Sequence, residues 1–103
     1  MPAEIEWTRP CLGSLEQAVL RIRRERPQAA DRFHRLVHET VDQLADFPLM
    51  GAESEIPNVN HIRELFCSPY RIFYRYFEVR NSIHVLLLWH SSRDDPTRVD
   101  LLG

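Results

Sequence analysis

The chain contains no lysine. All 13 basic residues among its 103 positions are arginine. No side-chain amine is therefore present for Schiff-base or acid–base work, and every fixed positive charge is a guanidinium fork that stays protonated. Cysteine is scarce as well. Cys11 and Cys67 stand far apart and outside any CxxC pattern, which argues against a disulfide framework and against a local zinc or redox motif. Both read as small buried residues. No apolar run approaches the length that crosses a bilayer, and the N-terminus lacks the basic-plus-hydrophobic pattern of a secretory signal. These two absences lead us to expect a cytoplasmic protein without a membrane partner. A net charge of −2 excludes a generic nucleic-acid binder. No repeat, low-complexity tract or second domain is visible, so residues 1–103 read as one domain, long enough to bury roughly two-thirds of its unfolded surface.

The charge that is present is unevenly spread. Acids outnumber arginines from Met1 to Asn60, and arginines outnumber acids from His61 to Arg93. Ile62 to Arg93 reads as three consecutive strands. Tyr70 to Glu78 is dense in aromatic and β-branched residues, Ser82 to Trp89 is almost wholly apolar, and Asn81 is the natural turn residue between them. Alternation puts Arg71, Phe73, Arg75 and Phe77 on one face and Tyr70, Ile72, Tyr74 and Tyr76 on the other. The tyrosine face is expected to be core, and the arginine face to stay open. Leu86 and Leu88 alternate with Ile83, Val85 and Leu87, so the last strand is apolar on both faces and should lie inside the sheet. That gives the open face an apolar floor suited to docking a partner peptide.

Upstream, Glu4-Ile5-Glu6-Trp7 alternates like a short strand. Leu12, Leu15, Val19 and Ile22, with Ala18, form one apolar stripe on a helix ending near Glu25. Thr8 can cap it with Gly13 inside, or Ser14 can cap it with Gln17 completing a capping box. Arg26-Pro27 breaks the helix, and Pro27 also suits the first turn of the next one. From Gln28 to Phe47 the residues Ala30, Phe33, Val37, Leu44 and Phe47 keep helical period, and so short a connection makes an antiparallel hairpin. Gly51 to Asn60 is expected to be a polar loop, and Val99-Asp100-Leu101 an edge strand. The helices must bury their stripes on one face of the sheet. The predicted fold is α+β: a short N-terminal strand and an antiparallel helix hairpin on one face of a mainly antiparallel sheet, in the order β-α-α-β-β-β.

Trp7-Thr8-Arg9-Pro10, the Pro27-x-Ala29-Ala30 opening of the second helix and Phe47-Pro48-x-Met50-Gly51 occur in sequence with Arg63-Glu64-Leu65, Tyr70-Arg71-Ile72-x-Tyr74-Arg75 and His90-x-x-Arg93. In this order and spacing the chain resembles, from Ile5 to Asp95, toxins of the ParE/RelE superfamily, the toxic halves of bacterial type II toxin–antitoxin modules. The strand wording is closer to the ParE branch. That resemblance implies a toxin that arrests bacterial growth by inhibiting DNA gyrase, needs no cofactor, and is neutralised by a small ParD-like antitoxin through a segment that folds on binding. The RelE-like branch instead cleaves mRNA on the ribosome. It uses two lysines on the strand before the Tyr-Arg motif and a tyrosine or histidine near the C-terminus. Those lysine positions fall on Ile62 and Glu64, and no Tyr or His follows Arg93. Arg71 and Arg93 match that branch's arginines, but arginine does not readily take or give a proton. Cleavage at a ribose 2′-OH needs a base, an acid and charge stabilisation at the phosphate. The alternatives to gyrase inhibition are a RelE-like endonuclease acting through Arg71, Arg93 and His90, or a decayed toxin retaining only antitoxin binding.

Arg63, Arg71, Arg75 and Arg93 are thus the candidates for target or antitoxin binding, and no catalytic residue is assigned outright. Each has a plainer reading. Arg71 and Arg75 can brace the sheet through Glu64 or Glu78, and Arg63 can be a solvated charge on an edge strand. His90 can act as a base beside Arg93, but a strand-end histidine bonded to backbone is the expected role. His34 and His38, four apart on the second helix, are half a metal site that nothing in the sequence completes, so no metal is expected.

Overall fold

A computed structural model describes all 103 residues. The elements are β1 (Glu4–Trp7), α1 (Arg9–Glu25), α2 (Pro27–Asp42) with a 3-10 turn at Gln43–Ala45, β2 (Ala52–Glu53), β3 (Ile62–Cys67), β4 (Tyr70–Phe77), β5 (Ser82–His90) and α3 (Arg98–Leu102). The sheet has five strands in the order β1-β5-β4-β3-β2, and only the β1–β5 pairing is parallel. The α+β architecture expected from the sequence is the one observed, with β5 inside the sheet.

Thr8 settles where α1 begins. Its Oγ1 accepts from the Cys11 amide at 3.3 Å as an N-cap, and donates to the Val85 carbonyl at 2.8 Å. Gly13 lies inside the helix. Ser14 ties α1 to the sheet instead: its Oγ accepts from the Leu88 amide at 3.0 Å and donates to the Cys11 carbonyl. β1 stops at Val85 in the pairing, so the outer amides of β5 beyond that point need another partner, and Ser14 supplies one. Pro27 opens α2 as expected, but regular helix ends at Asp42 and tightens into the 3-10 turn, short of Phe47.

The hairpin of α1 and α2 covers one face of the sheet. Leu15, Ala18 and Val19 of α1 and Ala30, Phe33, Val37 and Val41 of α2 pack with Leu65, Tyr70, Ile72, Tyr74, Ile83, Val85 and Leu88. The tyrosine face is core. Within it Tyr74 has no exposed surface, donates to the Pro48 carbonyl at 2.8 Å and accepts from the Gly51 amide at 2.9 Å.

The other face departs from expectation. Ile56 and Val59, in what reads as a polar loop, are buried with Ile62, Phe73, Leu86, Leu87, Trp89 and Leu101 in a second, smaller core. Residues 98–102 are a helix, not an edge strand. Thr97 Oγ1 accepts from the Asp100 amide while Asp100 Oδ2 accepts from the Thr97 amide, and this capping box favours helix over extension. The open face is therefore half closed by the 54–61 loop and α3. A bulge supports this cover. Phe73 pairs with Leu87 and Tyr74 with Val85, so Leu86 has no partner opposite, and Leu86 and Leu87 both enter the second core. At the far end of β4, Asn81 turns the chain with φ 48°, a conformation asparagine tolerates better than most residues.

Candidate functional site

Three pairs of strand positions build the arginine-bearing face. Opposite each other in the ladder stand Phe66 and Arg71, Glu64 and Phe73, and Ile62 and Arg75. Glu64 is thus diagonal to Arg71, close enough for long side chains to meet. They meet as a fork: Arg71 Nη2 lies 3.1 Å and Nε 3.3 Å from the Glu64 carboxylate. Arg71 Nη1 also donates to Asp95 Oδ1 at 2.8 Å, bringing in the segment after β5. Both Arg71 and Glu64 are mostly covered, with side chains 14% and 17% exposed. Burial works against the charge on Arg71, but the hydrogen bonds and fields of Glu64 and Asp95 outweigh it and hold the guanidinium above its ordinary value. Arg71 is a charged strut, compensated by two carboxylates. It also lies 4.8 Å from the Phe73 ring centroid.

Beyond the covered half, the face remains accessible. Arg75 and Arg80 both lie over the Phe77 ring, at 4.9 and 4.8 Å from its centroid. His84 packs against the same ring at 4.7 Å and meets Glu6 Oε2 at 3.1 Å. Neither Arg75 nor Arg80 has a carboxylate in ion-pair range. Stacking on a ring fixes a guanidinium while leaving its in-plane N–H groups free to donate. Arg80 is not marked by strand alternation because it sits in the turn between β4 and β5. An arginine immediately before the turn asparagine was the available signal.

The other candidates separate. Arg63 projects to the helix side of the sheet. There its Nη1 donates to the Gly51 carbonyl at 2.6 Å and the Leu49 carbonyl at 3.3 Å, and Nη2 lies 3.6 Å from Glu53. Together with Tyr74 it holds the Pro48–Gly51 corner in place. Arg93 follows β5 and stacks its guanidinium 3.7 Å from the Trp89 ring centroid. His90 faces the helix side, edge-on to Tyr70 at 5.0 Å, and its Nδ1 accepts from the Ser92 amide at 3.1 Å. Arg71 and His90 are therefore on opposite faces of the sheet, and the arginine–histidine set that a nuclease would use is not assembled in one place. His34 and His38 stack on the exposed side of α2, with Trp7 against His38. Burial, and to a lesser extent the neighbouring His34, lower the His38 value. No cluster of three or more His, Cys, Asp or Glu side chains is arranged to hold a metal ion. No helix is long and apolar enough to cross a membrane.

A family model described as the ParE toxin of the type II toxin–antitoxin system parDE matches residues 5–95. Among solved structures, the fold is similar to a chain of the chromosomal ParDE system from P. aeruginosa. The TM-score is 0.71 at 22% identity, with 85% of this chain and 95% of that one covered. It is similar also to a chain of the toxin–antitoxin complex RelBE2 from Mycobacterium tuberculosis, with TM-score 0.63, 16% identity, and coverage of 87% and 99%. No curated protein sequence matches significantly. The solved structures carry the fold, and the family match carries the membership: this chain belongs to the ParE toxin family of type II toxin–antitoxin systems.

Proposed function

We propose that this toxin acts by binding rather than by chemistry, that its target is DNA gyrase, and that a ParD-like antitoxin neutralises it. One observation carries the non-enzymatic part. At the positions where the RNA-cleaving branch places its lysines, Ile62 is 2% exposed in the second core and Glu64 is locked to Arg71. Ile62 has no proton to move, the Glu64 carboxylate is engaged by the Arg71 fork, and His90 lies on the other side of the sheet from Arg71. What remains accessible on the arginine face is the Arg75–Phe77–Arg80 stack and, at the other end of the strands, Phe66. Arginine and aromatic side chains held rigid by each other suit a protein interface, where pre-ordered side chains lose little entropy on contact. The family supplies the choice of gyrase.

The test is expression in a bacterium with DNA-damage response and translation followed together. Induction of the damage response while translation continues is the expected result. Immediate translation arrest with cut mRNA would reject the gyrase reading and restore the endonuclease alternative.

A further inference from the structure

Only three of the chain's 13 arginines, Arg23, Arg63 and Arg71, are ion-paired, and a separate group away from the sheet face is not. A cleft runs between α1 and the ends of β4 and β5, lined on the helix side by Gln17, Arg21 and Arg24 and on the sheet side by His90 and Arg93. No aspartate or glutamate lines it. Arg23, Arg63 and Arg71 are ion-paired elsewhere, whereas Arg21, Arg24 and Arg93 have no carboxylate in ion-pair range. In a chain of net charge −2, Arg21 and Arg24 gathered along one concave surface with Arg93, whose charge also acts on Asp100, make a local positive potential against the overall sign.

The polar chemistry is that of donors. The guanidiniums have no acceptor. His90 Nδ1 accepts from the Ser92 amide, which leaves Nε2 as the ring nitrogen that donates. Ser14 Oγ is spent on the Leu88 amide and the Cys11 carbonyl. The apolar residues of the cleft are closed off: Ala18, Leu88 and Tyr70 are all buried, and only Leu20 at the rim is exposed. A peptide would find little apolar surface to cover, and a base would find no free ring to stack on, while an oxyanion would find several donors at once.

We propose that this cleft binds phosphate, as carried by a nucleic-acid backbone or a free nucleotide. Recognition is sequence-independent, because only phosphate oxygens are addressed. The site stands apart from the Arg75–Phe77–Arg80 face and does not depend on the identity of the toxin's target.

The experiment measures anisotropy of fluorescein-labelled 12-nucleotide single-stranded DNA and RNA with the purified chain, against salt. Pyrophosphate, ATP and poly-glutamate serve as competitors. Binding should weaken with salt. The double substitution R21A/R24A should reduce affinity at least tenfold at low salt and flatten the log K versus log salt slope by about 1.4, at roughly 0.7 per phosphate contact on a single strand. Both residues are exposed on a helix surface, and an unchanged melting temperature confirms folding. Arg35→Ala, an exposed arginine on α2, should bind as the parent does. Displacement by pyrophosphate and ATP at equal phosphate concentration assigns the site to phosphate generally, and displacement by oligonucleotide alone assigns it to the backbone. Three results would overturn the proposal: no salt-dependent binding, equal binding by R21A/R24A, or displacement by poly-glutamate in preference to every phosphate ligand, which would make the cleft an acidic-peptide site.

Discussion

Removing one oxygen atom, in Tyr74→Phe, tests how the corner after the helix hairpin is held. The Tyr74 hydroxyl is buried between two backbone groups, donating to Pro48 and accepting from Gly51. Phenylalanine fills the same ring volume, so no cavity opens. The change isolates the polar cost. The buried Gly51 amide loses its acceptor and costs about 1–3 kcal/mol, while the donated bond contributes about 1 kcal/mol. The sum is about 3 kcal/mol, which for a domain of this size lowers the melting temperature by roughly 12–15 °C. Circular dichroism melts and urea titrations at constant m-value measure it. Tyr76→Phe is the control, since that hydroxyl donates to the Asn81 side chain near the surface at 2.9 Å, and about 1 kcal/mol is expected there. A Tyr74→Phe loss no larger than that of Tyr76→Phe would refute the reasoning, because it would mean water or a backbone shift replaces the lost partner at little cost.

Gly51→Ala should destabilise at least as much, because a Cβ there would lie 2.7 Å from the Tyr74 ring and hydroxyl and 2.8 Å from the Glu64 carbonyl; a melting curve matching the parent would contradict this. Cys11 and Cys67 should resist a thiol reagent until the chain unfolds, since both are buried and burial pushes the Cys11 thiol up to about 12. A raised folded value gives stability that is complete below the unfolded thiol's ordinary range near 9 and is lost as pH rises toward 12, so stability should fall with pH in that window; flat alkaline stability would contradict it. Arg71→Ala should cost about 2 kcal/mol by stranding Glu64 and should lower toxicity more than His34→Ala; equal toxicity of the two variants would remove the sheet face from the functional account.

The elements legible in the sequence were those where local chemistry and packing agree. Thr8 and Pro27 mark helix starts, the stripes of α1 and α2 match the buried residues except at Leu12 and Phe47, which are exposed, and the alternation of Tyr70 to Phe77 sorts core from open face. The features it hid depend on contacts far along the chain. Ile56 and Val59 sit in a polar stretch and become core only because the 54–61 loop folds back over Phe73. Leu86 reads as one more apolar strand residue, and nothing local marks the bulge that turns it beside Leu87. Val99 to Leu101 mimics a strand pattern, although the spacing of Thr97 and Asp100 is that of a capping box and favours helix. At the site, the Arg71–Glu64 pair follows from strand register, while Asp95 joins it from 24 residues away. Arg63 and Arg71 look alike as strand arginines, but Arg63 pairs with the core residue Tyr74 and so lies on the opposite face.

Gyrase inhibition by binding is open to one assay on purified components. Supercoiling of relaxed plasmid by gyrase is followed as toxin is added, with ribosomes and mRNA in a parallel reaction. Inhibited supercoiling, relief by a ParD-like antitoxin, and intact mRNA are expected. Unimpaired supercoiling together with ribosome-dependent cleavage of the mRNA would contradict it.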